Sequence, residues 1–318
     1  MNYYKNIIFS SIKGKLYQKK RKLFNFPKKI FQHRLWEQNL DNLYYGHYFI
    51  FRKYSKTILP YKINGEVQHG WSPISGIAGN PNDHSHSFKK RRFYVFNKQN
   101  QIKCNELGYP NVVPIGAPFI YIENLMEGLE NFDKNSLILF PSHSHEWAKF
   151  SKPIQTFQNY IMCIERIKSK FSNICVSLSW NEYQNKDLRK LFKNQSIKTI
   201  TMGPRDGNPN FLQNFVNAVK KFEYVSSDTF SSPIFYSLMI CRKVFIYGDL
   251  LSSQKKYSDE YENIDNSAYV KYAKLYPELL WENFEHKAYP SMAKKELGLS
   301  HKKSSKEIRK LFEWKIII

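Results

Sequence analysis

Long apolar runs are absent from this sequence, and cysteine is scarce in it. No stretch approaches the roughly 18 uninterrupted apolar residues of a membrane-spanning helix, and the N-terminus lacks the apolar core and cleavage site of a signal peptide. The sequence therefore predicts a cytoplasmic protein. The four cysteines lie far apart and form no CxxC pair, which argues against a disulfide framework and a structural zinc site.

Acidic residues are also few. The 318 residues include 27 Asp and Glu against 49 Lys and Arg, which gives a net charge of +22. This balance calls for an anionic partner, which can be nucleic acid, a phospholipid surface or a phosphorylated substrate. The hydrophobic content of 42% is enough for one large core or two smaller ones, and the length favours two domains.

Much of the positive charge is concentrated at the N-terminus. Residues 1–34 contain ten Lys and Arg, no Asp or Glu, and large apolar side chains interleaved with the lysines. Such a segment suits an amphipathic helix that lies on the anionic inner face of the cytoplasmic membrane. A basic helix packed on the protein along one side explains the pattern equally well. We assign residues 1–40 to this basic amphipathic segment.

Residues 41–134 are rich in turns and indicate an irregular α/β domain whose topology the sequence does not reveal. The short strand-like runs of this region are Tyr48–Phe51, Glu66–Gln68, Arg92–Phe96 and Val112–Ile115.

The pattern is more regular in residues 135–252, where five apolar strand-like runs alternate with four helical patterns. This alternation predicts an α/β domain with a parallel sheet of the nucleotide-binding type. Ligands of such sheets bind beyond the carboxyl ends of the strands, which here are the loops 141–147, 203–208 and 228–232. Residues 253–318 are charged, carry aromatic residues at roughly helical intervals, and are predicted to form helices that pack across both domains.

A serine-rich turn follows the fourth strand of the regular domain. Ser232 suits a helix N-cap and Pro233 suits the first helical position. The hydroxyls of Ser231 and Ser232, with Thr229 close by, would then converge with free N–H groups and the helix dipole on one phosphate. An ordinary capped helix is the alternative.

Histidines occur in loops of both predicted domains. His69 lies in the segment 66–71, and His143 and His145 lie in the loop 141–147. An imidazole at a strand end can accept a proton near neutral pH, although each histidine alone is more often structural. In the loop 203–208, Arg205 suits bidentate pairing with a phosphate, or an ion pair with Asp206.

These pieces, in this order, resemble the GT-B-type glycosyltransferases of bacterial capsule and lipopolysaccharide assembly. The layout is similar to the CDP-glycerol glycerophosphotransferase and polysialyltransferase groups of that superfamily. The matching positions are His69-Gly70, Pro141 with His143, Ser231-Ser232 before an apolar helix, and Val244–Asp249. The resemblance implies an α/β fold of two Rossmann-like domains facing a cleft, with a C-terminal helical segment. It also implies an acceptor-side domain at 41–134 and a donor-binding domain at 135–252.

The same resemblance implies a mechanism and its residues. His69 would be the catalytic base, with Glu66 as a second catalytic candidate. The residues implied for the donor phosphate and nucleotide are His143, His145, Arg205, Thr229, Ser231 and Ser232. The donor would be a nucleotide-sugar, the acceptor a lipid-linked or polysaccharide chain, and neither a metal nor a cofactor is expected. Where the glycerophosphotransferases have His-Gly-Thr-Pro, this chain has His69-Gly70-Trp71-Ser72-Pro73, so transfer of a polyol phosphate stays open as an alternative.

Two further alternatives come from other classes. The pairs His84-x-His86 and His143-x-His145, with Glu146 as a base, permit a zinc-dependent hydrolase. The net charge and the 16% aromatic content are compatible with nucleic-acid binding, but no recognised DNA or RNA motif is present, and no nucleic-acid partner is expected.

Overall fold

The protein has a mixed α/β fold that divides into two compact units. Unit 1 comprises residues 1–125, 203–214 and 291–318, and unit 2 comprises residues 126–202 and 215–290. The computed structural model describes residues 37, 39–58, 61–72, 76–77, 85–142, 154–248 and 271–314. Segment 203–214, which the sequence places in the donor-binding range, thus belongs to unit 1.

Unit 1 contains a three-stranded parallel sheet in the order β1-β2-β3. The strands are β1 (Glu66–Val67), β2 (Phe93–Val95) and β3 (Val112–Pro114), which confirms three of the four predicted strand runs. The sheet is in register with Glu66 opposite Phe93 and Phe93 opposite Val112.

The fourth predicted strand, at Tyr48–Phe51, is wrong. These residues lie in a helix, α2 (His47–Tyr54), which follows a left-handed Gly46 with φ of 79°. Tyr48 and Phe51 are one helical turn apart and are both buried, so their spacing is that of a helix face. A short run of large apolar residues is compatible with a strand or a helix by sequence alone. Here the packing of Tyr48 and Phe51 in the core stabilises the helix.

The remaining helices of unit 1 surround this sheet and an aromatic core. Phe51 packs against Tyr121 and Phe312, each with ring centroids 5.0 Å apart, and Phe312 also contacts Tyr94 at 4.8 Å. The C-terminal helix thus contributes directly to the core of unit 1. The helices that lie wholly or largely in unit 1 are α1 (Leu40–Leu43), α3 (His86–Lys89), α4 (Lys98–Glu106), α10 (Pro290–Glu296) and α11 (Ser305–Phe312).

Unit 2 contains a five-stranded sheet in which every pairing is parallel and the order is β6-β5-β4-β7-β8. This confirms the predicted parallel sheet. If β4 is counted as the first strand of this sheet, the strand order is 3-2-1-4-5, as in a Rossmann fold. The chain first adds strands on one side of β4 and then crosses to the other side, so the order reverses between β4 and β7. The strands are β4 (Asp133–Phe140), β5 (Asn173–Ser177), β6 (Lys198–Ile200), β7 (Phe222–Ser227) and β8 (Lys243–Ile246).

Helices follow the strands of unit 2 as the periodicity predicts. Along α5 (Ile154–Ile167) the buried residues Phe157, Ile161 and Ile164 recur at helical spacing and pack on the sheet. Ser179 precedes α6 (Trp180–Gln184) and forms a capping box with Glu182, which satisfies two otherwise unpaired N–H groups. The helices are α5 (Ile154–Ile167), α6 (Trp180–Gln184), α7 (Lys186–Asn194), α8 (Phe211–Val219), which begins in unit 1, and α9 (Ser232–Met239).

The structure does not test the predicted membrane contact. The basic segment 1–34 lies outside the described residues. Among the helices that are described, none has both the length and the apolar character needed to cross a bilayer. Residues 249–270, at the junction of the predicted donor-binding and C-terminal ranges, also lie outside the described part of the chain.

Candidate functional site

Unit 2 has a crevice position where its strand order reverses, at the adjacent carboxyl ends of β4 and β7. Phe140 pairs with Ser227 there. Just beyond the strands, the Asp228 carboxylate accepts two hydrogen bonds from Ser142, one from the backbone N–H and one from the hydroxyl, both 2.8 Å long. The loops that leave the two strands are therefore joined at the position where parallel α/β sheets bind their ligands. We call this position the switch point.

The serine turn lies at the switch point and opens α9. The N-cap is Ser231, with extended backbone angles (φ −158°, ψ 169°), and its carbonyl accepts from the N–H groups of Ile234 and Phe235. The prediction of Ser232 as N-cap is therefore wrong by one residue, because the extended conformation ends at Ser231. The Ser231 side chain makes no capping hydrogen bond, and both Ser231 and Ser232 are partly exposed.

Hydroxyls of the turn also contact one another and the backbone, and the Ser231 hydroxyl lies 3.5 Å from the Ser227 hydroxyl. The Ser227 hydroxyl donates to the Phe140 carbonyl at 2.7 Å and accepts from the Thr229 N–H at 3.4 Å. Thr229 is buried, and its hydroxyl contacts the Phe230 carbonyl at 3.4 Å. Ser231 and Ser232 are partly exposed whereas Thr229 is buried, so the two serines are better placed to meet a phosphate, and the N-terminus of α9 supplies a favourable dipole for it.

A third strand end completes the switch point. Gly248 follows β8 with φ of 141°, and a Cβ there would approach the Asp228 Cβ to 3.0 Å and the Tyr160 ring to 3.4 Å. Tyr160, on α5, is buried, and burial together with the Asp228 carboxylate raises the pKa of its hydroxyl well above the ordinary value. No sequence pattern singles out Tyr160, because its spacing is that of any core residue of α5.

Unit 1 brings aromatic and basic side chains together at the carboxyl end of β1. His69 Nε2 lies 3.2 Å from the Tyr45 hydroxyl, and the His69 ring packs edge-on against Tyr44 and Tyr45, with centroids 4.6 and 5.0 Å away. The Arg205 guanidinium lies 4.9 Å over the Tyr44 ring, and His47 contacts Tyr45 at 5.7 Å. We call these five residues the histidine cluster.

Two buried amides fix the backbone around His69. The Gln68 side chain accepts from the Phe96 N–H and donates to the Gly70 carbonyl, which holds the turn that carries His69. Asn42 accepts from the Val67 N–H at 2.9 Å and donates to the Gly65 carbonyl at 3.0 Å. Asn42 therefore attaches the segment before Tyr44 to the edge of β1, and both amides are fully buried.

Arg205 lies in the histidine cluster within unit 1. Its carbonyl accepts from the Tyr45 N–H at 2.8 Å, and Asp206 forms an isolated antiparallel bridge with Tyr44. The Arg205 Nε lies 3.4 Å from the Asp206 carboxylate, so the ion pair that the sequence left open is present. Arg205 thus shares Tyr44 with His69, and its role toward a donor phosphate stays a prediction.

Two further ionisable groups of unit 1, His47 and Glu66, have pKa values shifted toward their neutral forms. Burial lowers the pKa of His47 to about 3, and the neighbouring His69 adds to this effect. Burial likewise raises the pKa of the Glu66 carboxyl to about 8, with a contribution from the Asp41 carboxylate. In its protonated state Glu66 can donate a proton but not accept one, so His69 is the better candidate for a base of the two predicted catalytic residues.

The remaining predicted site residues are not described. His143 and His145 lie outside the described residues, as do His84 and Glu146 of the zinc alternative. Within the described residues, no group of three or more His, Cys, Asp or Glu side chains is arranged to hold a metal ion.

Comparisons with known proteins give only distant matches. No protein-family model matches the chain, and no curated protein matches it significantly. One solved structure that matches in part is that of the wall teichoic acid polymerase TagF, with 12% identity, a TM-score of 0.36, and coverage of 70% of this chain and 58% of the polymerase chain. A variant of the same polymerase matches with 12% identity, a TM-score of 0.40, and coverage of 79% and 68%.

Proposed function

We propose that this protein is a GT-B-type transferase that moves a sugar from a nucleotide-sugar donor to a surface polysaccharide or a lipid-linked acceptor. The observation that carries the proposal is the switch point of unit 2. There the partly exposed Ser231 and Ser232 open α9 beyond the carboxyl ends of a Rossmann-ordered sheet. Hydroxyls, a helix N-terminus and a crevice of the parallel sheet are together suited to the phosphates of a nucleotide.

The proposed mechanism assigns donor binding to residues of unit 2 and proton transfer to a residue of unit 1. In unit 2, Ser231, Ser232 and the N-terminus of α9 hold the donor phosphates and stabilise the negative charge that develops on the leaving nucleotide. In unit 1, His69 accepts the proton of the acceptor hydroxyl, whose oxygen then attacks the anomeric carbon. Arg205, His143 and His145 are further proposed phosphate ligands. This scheme assigns every step to side chains of the protein and requires no metal.

The proposals for the acceptor and for the location of the protein rest on its positive net charge. A cationic chain of net charge +22 suits an acceptor attached to, or growing at, an anionic membrane surface. We propose that residues 1–34 bind the inner face of the cytoplasmic membrane. Binding to vesicles that contain anionic lipid, lost on deletion of residues 2–34, is the expected result, and equal binding to RNA would favour the nucleic-acid alternative.

A nucleotide screen followed by a transfer assay tests the function. CMP, CDP, UDP and GDP are compared by thermal shift, and the nucleotide that stabilises the protein most selects the radiolabelled donors for the assay. We expect label to appear in polymer or lipid-linked product. Transfer from CDP-glycerol instead of a nucleotide-sugar would establish the polyol-phosphate alternative, and stoichiometric zinc in the purified protein would support a hydrolase.

Two variants test the residue assignments. His69→Ala should slow transfer about 10²–10⁴-fold without affecting nucleotide binding, whereas Ser231→Ala/Ser232→Ala should weaken nucleotide binding. Full transfer activity in both variants would contradict the proposed mechanism. Ser305→Ala, at the start of α11 in unit 1, is the control: it removes a serine hydroxyl at the first position of a helix, together with the hydrogen bond that this hydroxyl accepts from Arg309, and should leave nucleotide binding unchanged.

A further inference from the structure

The histidine cluster contains a tyrosine to which the mechanism above gives no role. We propose that Tyr45 is a positioning residue that holds His69 as a neutral base with the lone pair on Nε2. This inference rests on the proposed function, because the arrangement serves catalysis only if His69 accepts a proton. The direct observation is the distance of 3.2 Å between the Tyr45 hydroxyl and His69 Nε2, at the upper end of the usual hydrogen-bond range.

The charges around the two rings disfavour a positively charged imidazole, and in the proposed arrangement the phenol is the donor. The Arg205 guanidinium lies over Tyr44, and Tyr44 packs edge-on against His69, so a positive charge on the imidazole would be near an existing cation. The Asp206 carboxylate lies 3.4 Å from Arg205 Nε and reduces this repulsion. A neutral imidazole that accepts from a tyrosine O–H at Nε2 carries its own proton on Nδ1.

The backbone places Tyr45 in an uncommon conformation. Tyr45 has φ of 54° and Gly46 has φ of 79°, so two consecutive residues are left-handed, and one of them is not glycine. Such a residue persists only where the surrounding structure enforces it, and these residues concentrate at functional sites. Here the Tyr45 N–H is bound to the Arg205 carbonyl, and a Cβ at Gly46 would approach the Asn208 carbonyl oxygen to 2.8 Å.

The Tyr45 ring is enclosed by other rings. Phe211 and His69 pack on it at 5.1 and 5.0 Å, and His47 lies 5.7 Å away. His47 is fully buried, and neither of its ring nitrogens has a hydrogen-bond partner among the described residues. His47 therefore acts as a packing surface for Tyr45, and these contacts restrict the positions that the hydroxyl can take.

The chemical consequence concerns the state of the base before the acceptor arrives. The Tyr45 hydroxyl keeps the Nε2 lone pair unprotonated and aligned, and its O–H rotates away when the acceptor hydroxyl donates to Nε2. The acceptor proton then moves to Nε2 while its oxygen forms the bond to the anomeric carbon. The bond from that carbon to the donor phosphate oxygen breaks, and the electron pair leaves with the nucleotide. Tyr45 takes no part in bond making, and its contribution is the tautomer and orientation of His69.

Nitrogen NMR of the full-length protein tests the tautomer directly. With ¹⁵N-labelled histidine, the shifts of Nδ1 and Nε2 show which nitrogen carries the proton, and His69→Gln identifies the His69 signals by their loss. We expect wild-type His69 to be neutral with the proton on Nδ1. In Tyr45→Phe we expect a changed Nε2 shift and a shift of the population toward the tautomer protonated on Nε2. A proton on Nε2 in the wild type, or identical His69 signals in the variant, would overturn the inference.

Kinetics with the donor chosen by the nucleotide screen provide the second test. Tyr45→Phe should lower kcat about tenfold to a hundredfold, as expected for a misaligned catalytic group, and leave KM for the donor unchanged. Tyr61→Phe, a partly exposed tyrosine of unit 1, should retain wild-type kcat. Unchanged kcat in Tyr45→Phe overturns the role of Tyr45 alone, whereas full activity in His69→Ala removes the base assignment and the inference together.

Discussion

The two units hold their candidate residues in different ways. In unit 2, Ser142, Asp228 and Ser231 each lie within a few residues of a strand end of one regular sheet. In unit 1, the histidine cluster is assembled from three segments that are far apart in sequence, around residues 44–47, 69 and 205. A site at a regular sheet edge can be found from strand periodicity, whereas a site built from distant segments depends on contacts that no local pattern encodes.

The largest expected effect is a loss of kcat in His69→Ala, which tests whether proton transfer and nucleotide binding belong to different units. His69→Ala removes the proposed base from unit 1 and should lower kcat about 10²–10⁴-fold, with nucleotide binding unchanged. Steady-state kinetics and a binding titration on the same preparations check this. His86→Ala, an exposed histidine on α3, should behave as the wild type. A parallel loss of nucleotide binding in His69→Ala would show that the roles are not divided in this way.

The second prediction concerns the long-range contacts of unit 1. Asn42→Ala leaves the Val67 N–H and the Gly65 carbonyl without their buried partner and should reduce stability by about 2–4 kcal/mol. Hydrogen exchange should show lost protection at Val67, while Ile138 in β4 keeps its protection. Asn111→Ala, which removes one exposed hydrogen bond to Lys90, should cost less than about 0.5 kcal/mol. Equal costs for the two variants would contradict the importance of Asn42.

The corresponding prediction for unit 2 concerns Ser142 and Asp228, whose hydrogen bonds join the loops after β4 and β7. Asp228→Ala removes both hydrogen bonds to Ser142, and should destabilise the protein by about 1–3 kcal/mol and weaken nucleotide binding. Ser142→Ala keeps the hydrogen bond from its backbone N–H to Asp228, and should therefore lose less stability and less nucleotide affinity than Asp228→Ala. Denaturant unfolding and thermal shift with nucleotide measure the two effects. If Ser142→Ala were the more damaging change, the joining role of Asp228 would be wrong.

The smallest expected effect is a pH dependence that originates in unit 1. The pKa of His47 is lowered to about 3 in the folded protein, so its contribution to stability is complete above about pH 6.5 and is lost as the pH falls toward 3. At pH 5.5 the loss is about 1.4 kcal/mol relative to neutral pH. Between pH 7.5 and 5.5 the wild type should lose about 1.4 kcal/mol of stability relative to His47→Leu, because the opposite contribution of the raised Glu66 pKa is common to both proteins and cancels in the comparison. His86→Leu should keep the wild-type difference.

Most of the unit 2 fold could be predicted from the sequence. The apolar positions on α5 recur at the helical period, and the strands that flank it are short runs bounded by polar residues, so each local preference agrees with the sheet. The strand order could not be predicted, because it depends on which runs pair across the sheet. The one-residue error at the start of α9 has a local cause, since Ser231 and Ser232 are equally good caps by residue type.

Less of the unit 1 site could be predicted. The position of His69 at a strand end follows from the pattern around β1, but Tyr45 and His47 gave no signal, because large aromatic residues in a short run are typical of any core. The left-handed Tyr45 depends on the carbonyl of Arg205, which is distant in sequence. Gly46 was the one available hint, since glycine often marks a left-handed turn before a helix.

The most direct test of the central claim measures phosphate recognition at the switch point. For the base that the nucleotide screen selects, binding of the nucleoside and of its diphosphate is compared by calorimetry in the wild type and in Ser231→Ala/Ser232→Ala. We expect the variant to bind the diphosphate about tenfold to a hundredfold more weakly, as loss of one or two hydrogen bonds to a charged group implies, with nucleoside binding unchanged. Unchanged diphosphate binding, or equal weakening of both ligands, would contradict the claim that these serines hold the donor phosphate.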